Sequence, residues 1–394
     1  MTPTLPPEIW CLILNDLPRS DQLRICQVSP ILCTLARRTI YDKVALNSNS
    51  PNIHATLALF VRDHFVARNI TRLHIRTFSE GTEERNNSSW FNPGALAGMT
   101  RLRDLRLREF TFRTKEDEEA FNNVVSKSLT SLRKFDYRDL YTRKSVPQGP
   151  SAEEYIPKLQ IKGLEEIMCI EQDTFTHPSL ILTTLTASCS TLIQIHLPIP
   201  TSSPSSAELL KNFLTLHFPH LSTLHLGGWA AIMPVDEVFT TFLLAHPLIE
   251  DLQLGFYDAF DDTRCRLSPK VVLGPGALPN LYHLKADAFN VAILARGGVL
   301  SLKTIEHLHT STANGWAVGI FEEMCGALET YGGLPGLKIL KLELEEDDDY
   351  PYNVRWIDQL GKLCPSVENF WGDMGVGWTA RTKICLCPII TSSY

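Results

Sequence analysis

Seven side chains with a shared chemistry stand at alternate positions of three short segments: Arg72, His74 and Arg76; Arg106 and Arg108; Lys134 and Arg138. Guanidinium and ammonium groups in such a set make charge-assisted hydrogen bonds to carboxylates and phosphates, the arginines in a two-pronged geometry. Asp104 and Asp136 are interspersed and neutralise part of the cluster. The whole chain of 394 residues has a formal net charge of −7, so its bulk charge does not attract nucleic acid. The expected ligand of the cluster is an acidic or phosphorylated segment of a target protein. The competing nucleic-acid reading predicts a steep salt dependence of binding.

Bond-making chemistry has no comparable constellation. There is no Gly-x-Gly-x-x-Gly following a strand, no phosphate-binding Gly-x-x-x-x-Gly-Lys-Ser/Thr, no His-Glu-x-x-His and no Gly-x-Ser-x-Gly. His307 and His309 would share one strand face as a metal pair, but no third ligand is evident. The acidic runs at 258–262 and 343–350 lack calcium-loop spacing and read as solvated loops. No catalytic residue, cofactor or metal is therefore expected. The ten cysteines are scattered without a Cys-x-x-Cys pair, which points to a reduced chain in the cytoplasm and/or nucleus. No apolar run approaches the roughly 18 residues of a membrane span. The first basic residue, Arg19, follows the leading apolar run instead of preceding it, so a secretory leader is not expected.

The elements that must position the basic cluster come from a repeat. Apolar residues at positions 1, 4 and 6 recur in segments beginning at Ile70, Leu102, Leu132, Leu164, Leu192, Leu221, Ile249, Leu281, Ile305, Leu337 and Val367, 24 to 32 residues apart. Each segment reads as a strand, commonly preceded by a helical stretch such as 235–246, 321–331 or 354–364. Strand, helix and short return give a parallel sheet. About eleven units exceed a closed eight-fold barrel and favour an open solenoid. If positions 4 and 6 point inward, positions 3, 5 and 7 line the concave face. That places the basic cluster there. Later concave positions are mixed: Glu166, Met168, Gln194, His196, Thr223, His225, Asp251, Gln253, His283, Lys285, His307, His309, Lys341, Asn369 and Trp371. Longer spacings imply loops near 79–93, 141–155 and 257–276.

Residues 5–46 punctuate differently. Pro7 suits a first helical turn, Pro18 stops that helix, Ser20 is a candidate cap for a second helix, and Ser29-Pro30 starts a third. Residues 41–46 read as an extended exit. The first helix is apolar on more than one face, and a unit of about forty residues cannot cover that surface alone. The stretch from Leu5 through Leu46 resembles an F-box of fungal flavour, through Leu5-Pro6-x-Glu8-Ile9, Ile13, Leu17-Pro18, Asp21-x-Leu23, Val28-Ser29, Leu35-Ala36 and Ile40-Tyr41. The resemblance implies a trihelical module that docks on the Skp-type adaptor of SCF ubiquitin ligases, and through it on a cullin scaffold. It places Leu5, Pro6, Ile9, Ile13, Leu17, Pro18, Leu23 and Val28 at or near the adaptor. Ile31, Leu32 and Cys33 depart from the polar pattern common to the family's third helix.

The remainder resembles irregular, helix-containing leucine-rich repeats. It lacks the usual Asn or Cys after each core; the corresponding sites include Phe78, Phe110, Leu140, Trp229, Tyr257 and Phe289, so apolar turns are expected. The expected fold class is α/β: an F-box at 1–46, a linker helix at 47–69, a solenoid with concave parallel strands and convex helices at 70–378, and a tail or cap at 379–394. The function implied is a non-catalytic substrate receptor of an SCF-type ligase. A repeat scaffold acting outside any ligase is the alternative.

Overall fold

Residues 5–76, 91–108, 115–138, 161–169, 178–198, 210–227, 231–232, 236–254, 265–267, 271–312, 317–344 and 354–372 are described by the computed structural model. Most of the expected loop near 79–93, the loop near 141–155, the first part of the loop near 257–276, the turn residues Phe78, Phe110, Leu140, Trp229 and Tyr257, and the tail at 379–394 lie outside them. The chain divides into two units, Met1–Ser188 and Cys189–Tyr394.

The first unit opens with three helices, α1 (Pro7–Asp16), α2 (Arg19–Ile25) and α3 (Pro30–Ile40). Proline at the first position of α1 loses no internal hydrogen bond. Leu17 turns extended, with ψ 144°, because Pro18 bars the residue before it from helical backbone. The candidate cap Ser20 is not the cap of α2. Pro18 fills that place, and its carbonyl accepts the N–H groups of Asp21 and Gln22. Ser29 does cap α3, accepting the Leu32 N–H at 3.1 Å. Leu14, Leu35, Ala36 and Ile40 form a small buried core, with Trp10, Leu17, Ile25 and Tyr41 packed against it. The buried Gln22 amide donates to the carbonyls of Leu14 (2.7 Å) and Leu17 (3.0 Å), closing the end of α1.

The extended exit is the first strand of a sheet, β1 (Lys43–Asn47), paired in parallel with β2 (Arg72–Arg76). Between them the expected single helix is two, α4 (Ile53–Arg62) and α5 (His64–Asn69). Asp63 breaks it: the side chain accepts the Val66 N–H at 3.1 Å and starts a new helix. Then follow β3 (Asp104–Arg108), α6 (Lys115–Ser128), β4 (Lys134–Arg138), β5 (Glu166–Cys169) and α7 (Pro178–Ser188). Ser188 donates to the Ile161 carbonyl and accepts the Leu164 N–H, fastening α7 to the start of β5.

The second unit carries β6 (Gln194–Pro198), β7 (Thr223–Gly227), α8 (Asp236–Ala245), β8 (Asp251–Leu254), β9 (His283–Asp287), α9 (Ala288–Arg296), β10 (His307–Thr312), α10 (Ala317–Tyr331), β11 (Ile339–Leu344), α11 (Val354–Leu363) and β12 (Asn369–Gly372). Phe289, an expected apolar turn residue, lies in α9, which begins directly after β9. All eleven expected segments are strands, and every described pairing between them is parallel.

In both units the alternation is that of an α/β repeat solenoid. The position-1 residues, among them Ile70, Leu102, Leu132, Leu221 and Ile249, are fully buried, as are most residues at positions 4 and 6. Just before most of the described strands one main-chain carbonyl accepts two N–H groups from the next repeat: Thr71 from Arg103 and Asp104, Ser222 from Glu250 and Asp251, Glu306 from Lys338 and Ile339. These main-chain bonds register neighbouring repeats without a particular side chain, which suits a chain lacking the Asn or Cys positions.

Candidate functional site

The helical trio leaves several large apolar side chains uncovered. Only Leu14 of α1 is fully buried, while Ile9, Leu12 and Ile13 are exposed. Leu5, Leu23, Val28 and Ile31 join them, Val28 and Ile31 at 72% and 73% exposure. Of the sixteen large apolar side chains exposed among the described residues, seven fall in the first 31 positions. Isolated exposed apolar residues are ordinary on a protein surface, but a concentration such as this marks an interaction face. Of the residues expected at an adaptor, Leu5, Pro6, Ile9, Ile13, Pro18, Leu23 and Val28 are exposed, and Leu17 is half-buried against the core. Leu12 and Ile31 belong to the same exposed set and were outside that expectation. Their signal was apolar character at helix positions the small core does not use.

The open strand face of the first unit arranges the basic cluster in three cross-strand rows. Register puts Lys43, Arg72, Asp104, Lys134 and Glu166 in one row, and Ala45, His74, Arg106, Asp136 and Met168 in the next. The third row is Asn47, Arg76, Arg108 and Arg138 and contains no carboxylate. The side chain of Arg138 lies outside the described set. Asp104 and Asp136 are buried at the floor of the face. Asp104 clamps Arg106 in a two-pronged pair, Nε to Oδ1 at 3.1 Å and Nη2 to Oδ2 at 3.0 Å. That pairing raises the guanidinium above its ordinary value. Lys134 is bonded to Glu166. His74 is pushed down by burial first and then by Arg108 and Arg106, so it is neutral at physiological pH. Arg106 and Lys134 are thus committed to acids within the face, while the third row concentrates arginine. The spacing Asp104-x-Arg106 was the available sign of the clamp, because residues two apart on a strand share a face.

In the second unit Asp251 sits between two imidazoles. His225 Nε2 lies 3.3 Å and His283 Nδ1 3.0 Å from its Oδ1. These are close carboxylate–imidazole contacts off the line of a directed hydrogen bond. Burial by itself raises the Asp251 carboxyl; the pairing with His225 and His283 outweighs it and holds the group well below the usual carboxylate range. His307 and His309 occupy adjacent rows of β10, and no set of three metal-ligating side chains is assembled among the described residues.

Residues 3–42 match the F-box domain family. Among solved structures, the chain is similar to a chain in the crystal structure of the Rad7 and Elc1 complex from yeast. The two share 12% identity over 92% of this chain and 87% of that chain, with a TM-score of 0.43. No curated protein matches the sequence.

Proposed function

We propose that the protein is a substrate-receptor subunit of an SCF-type ubiquitin ligase. Its F-box docks on a Skp-type adaptor and through that on a cullin scaffold, while the strand face holds a target protein. The observation that carries this reading is the exposed apolar face of α1 to α3, on the segment that matches the F-box family. A module with so small a core needs a partner to cover that face. The chain itself is non-catalytic in this scheme. Tethering raises the local concentration of target lysines near the transfer machinery, and the ligase's other subunits make the bond. The proposed setting is the cytoplasm and/or nucleus.

For the target, the basic rows of the first unit support an acidic or phosphorylated segment, with the acid-free row of Arg76, Arg108 and Arg138 as its anchor. Co-purification with a Skp-type adaptor tests the docking half: Ile9→Asp, on an exposed position, is expected to abolish capture without lowering the melting temperature. Affinity purification with the proteasome blocked tests the target half. Arg76→Glu with Arg108→Glu is expected to lose the acidic or phosphorylated clients and retain the adaptor. Unchanged capture in both experiments refutes the reading.

A further inference from the structure

The sheet of the first unit ends in an open edge. β1 is the terminal strand, paired with β2 alone among the described strands. In a parallel ladder, alternate residues of a strand bond to one neighbour. The Asp42 carbonyl accepts the N–H groups of Thr71 and Arg72, and the Ser48 N–H donates to the Arg76 carbonyl. Residues 42, 44, 46 and 48 therefore face β2, while Lys43, Ala45 and Asn47 direct their backbone groups away from the sheet. The Asn47 carbonyl is taken by the Ser50 N–H at 2.9 Å. The N–H and C=O of Lys43 and Ala45 and the N–H of Asn47 have no partner among the described residues. The side chains of all three are exposed.

A line of unpaired backbone donors and acceptors is a template for another strand. Charge decides which strand. Lys43 and Arg72 are neighbours in the first row, both exposed, and neither has an ion pair among the described residues. The acids close to them are engaged: Asp42 accepts the Thr71 hydroxyl, and Asp104 clamps Arg106. The third row, which runs from Asn47 to Arg76 and Arg108, holds no carboxylate. A second copy of the chain would bring the same bases to the edge and is opposed by like charge, whereas an acidic segment is attracted. On the opposite side of the strand Leu46 is buried and Val44 half-buried, so side chains beside them in an added strand meet apolar surface.

We propose that β1 docks an extended segment of the client protein, which joins the sheet as a further strand with acidic residues opposite Lys43 and Asn47. This deepens the target half of the proposed function, and rests on it for the partner's identity as a client. The recognised order is acid, apolar, any strand-former, apolar, acid. It reads the same in both directions, so it suits a parallel or an antiparallel strand. Main-chain bonds supply affinity irrespective of sequence, and Lys43 with the arginines behind it selects for acid. Only Tyr41 and Asp42 separate β1 from α3, so a client on this edge is held beside the module that meets the adaptor.

A fluorescein-labelled peptide in the order glutamate, valine, threonine, valine, glutamate tests this by anisotropy with the full chain. Ala45→Pro removes an outward N–H that makes no bond within the protein, a change an edge strand tolerates. It is expected to weaken the peptide about tenfold at an unchanged melting temperature. Lys43→Glu should weaken it about as much, and a peptide with lysine in place of glutamate should not compete. If Ala45→Pro melts below the parent, N-methylated peptides carry the test on the parent chain. Methylating the first, third and fifth amides and methylating the second and fourth should give affinities about tenfold apart, because only one set faces β1 in either strand direction. Equal affinity for the two methylated peptides, parental binding by Ala45→Pro, or successful competition by the lysine peptide would each overturn the proposal. So would a dimer in sedimentation that Ala45→Pro converts to monomer, since the edge would then belong to a second copy. Ala45→Pro leaves adaptor capture intact and Ile9→Asp leaves peptide binding intact, so failure here is distinguishable from failure of the ligase reading.

Discussion

Replacing Val28 and Ile31 by serine isolates the energy of the helical face from the stability of the helices. Full burial of a Val or Ile side chain contributes about 1.5–3 kcal/mol. Val28 is 72% and Ile31 73% exposed, so most of that contribution is unrealised in the free chain. Scaling by exposure leaves about 1–2 kcal/mol for each residue to gain when an adaptor covers it. Each single substitution should therefore weaken adaptor binding about tenfold, and the pair about a hundredfold if the sites act independently. Titration calorimetry with a purified Skp-type adaptor measures this directly. Stability should move by no more than about 0.5 kcal/mol, as for other exposed sites. Leu14→Ala supplies the contrast: Leu14 is fully buried in the trio's core, and its truncation should destabilise by about 2–5 kcal/mol. The reasoning fails if the double variant keeps parental affinity. It also fails if lost affinity comes with a melting shift as large as that of Leu14→Ala, since the face would then be core and not interface.

Three further outcomes rest on buried polar groups. Gln22→Leu leaves the Leu14 and Leu17 carbonyls without their side-chain donor, and should destabilise by about 1–3 kcal/mol in chemical denaturation. Thr310 is completely buried, and its hydroxyl has no hydrogen-bond partner among the described residues; Thr310→Val should raise stability by about 1 kcal/mol in a thermal melt, and a loss would contradict the assignment. His246 accepts the Phe218 N–H at Nε2 (2.9 Å) and holds the Phe242 carbonyl through Nδ1 (2.6 Å), with burial the main force pushing its pKa below the ordinary 6.5. The unfolded chain therefore binds a proton at this site more readily than the folded one. The contribution is present above about pH 6.5 and is lost as pH falls below it. Urea titrations from neutral to mildly acidic pH should show that decline, and His246→Phe should reduce its slope.

The period of the strands was legible because two independent constraints wrote it. Apolar positions 1, 4 and 6 must reach the interior, and a parallel strand alternates its faces, so the same six residues fix both the core and the open face. Ile70, Leu73 and Ile75 show this: all are buried, while Arg72, His74 and Arg76 between and after them face outward. Residues 43–47 were legible as extended backbone but not as part of the sheet, since membership depends on Thr71 and Arg72 reaching back to the Asp42 carbonyl across 29 positions of chain. The break at Asp63 was hidden for the opposite reason. Its neighbours suit one continuous helix, and a single side-chain cap decides where the backbone restarts.

The candidate sites divide along the same line. Which residues face outward follows from alternation, but which of them are available to a ligand depends on partners within the face. Register sets Lys134 beside Glu166, and Asp104 captures Arg106 from the same strand. A cluster that reads in the sequence as basic with interspersed acids is thereby sorted into two rows that carry carboxylates and one row of arginine. The histidines of the second unit are the reverse case. His196, His225 and His309 are spread over more than a hundred positions and look mixed in the chain, yet register gathers them into one row, with His283 and His307 in the next row beside Asp251. Charge pattern along a repeat protein is therefore a property of rows across strands, and substitutions that exchange charges within a row should perturb binding less than those that exchange them between rows. Swapping Lys134 and Glu166 tests this against Arg108→Glu: the swap preserves the row's charge and should leave the affinity of an acidic peptide within about twofold, whereas the reversal should lower it by about tenfold or more. Equal losses from the two would mean that side-chain identity, and not row charge, governs the face.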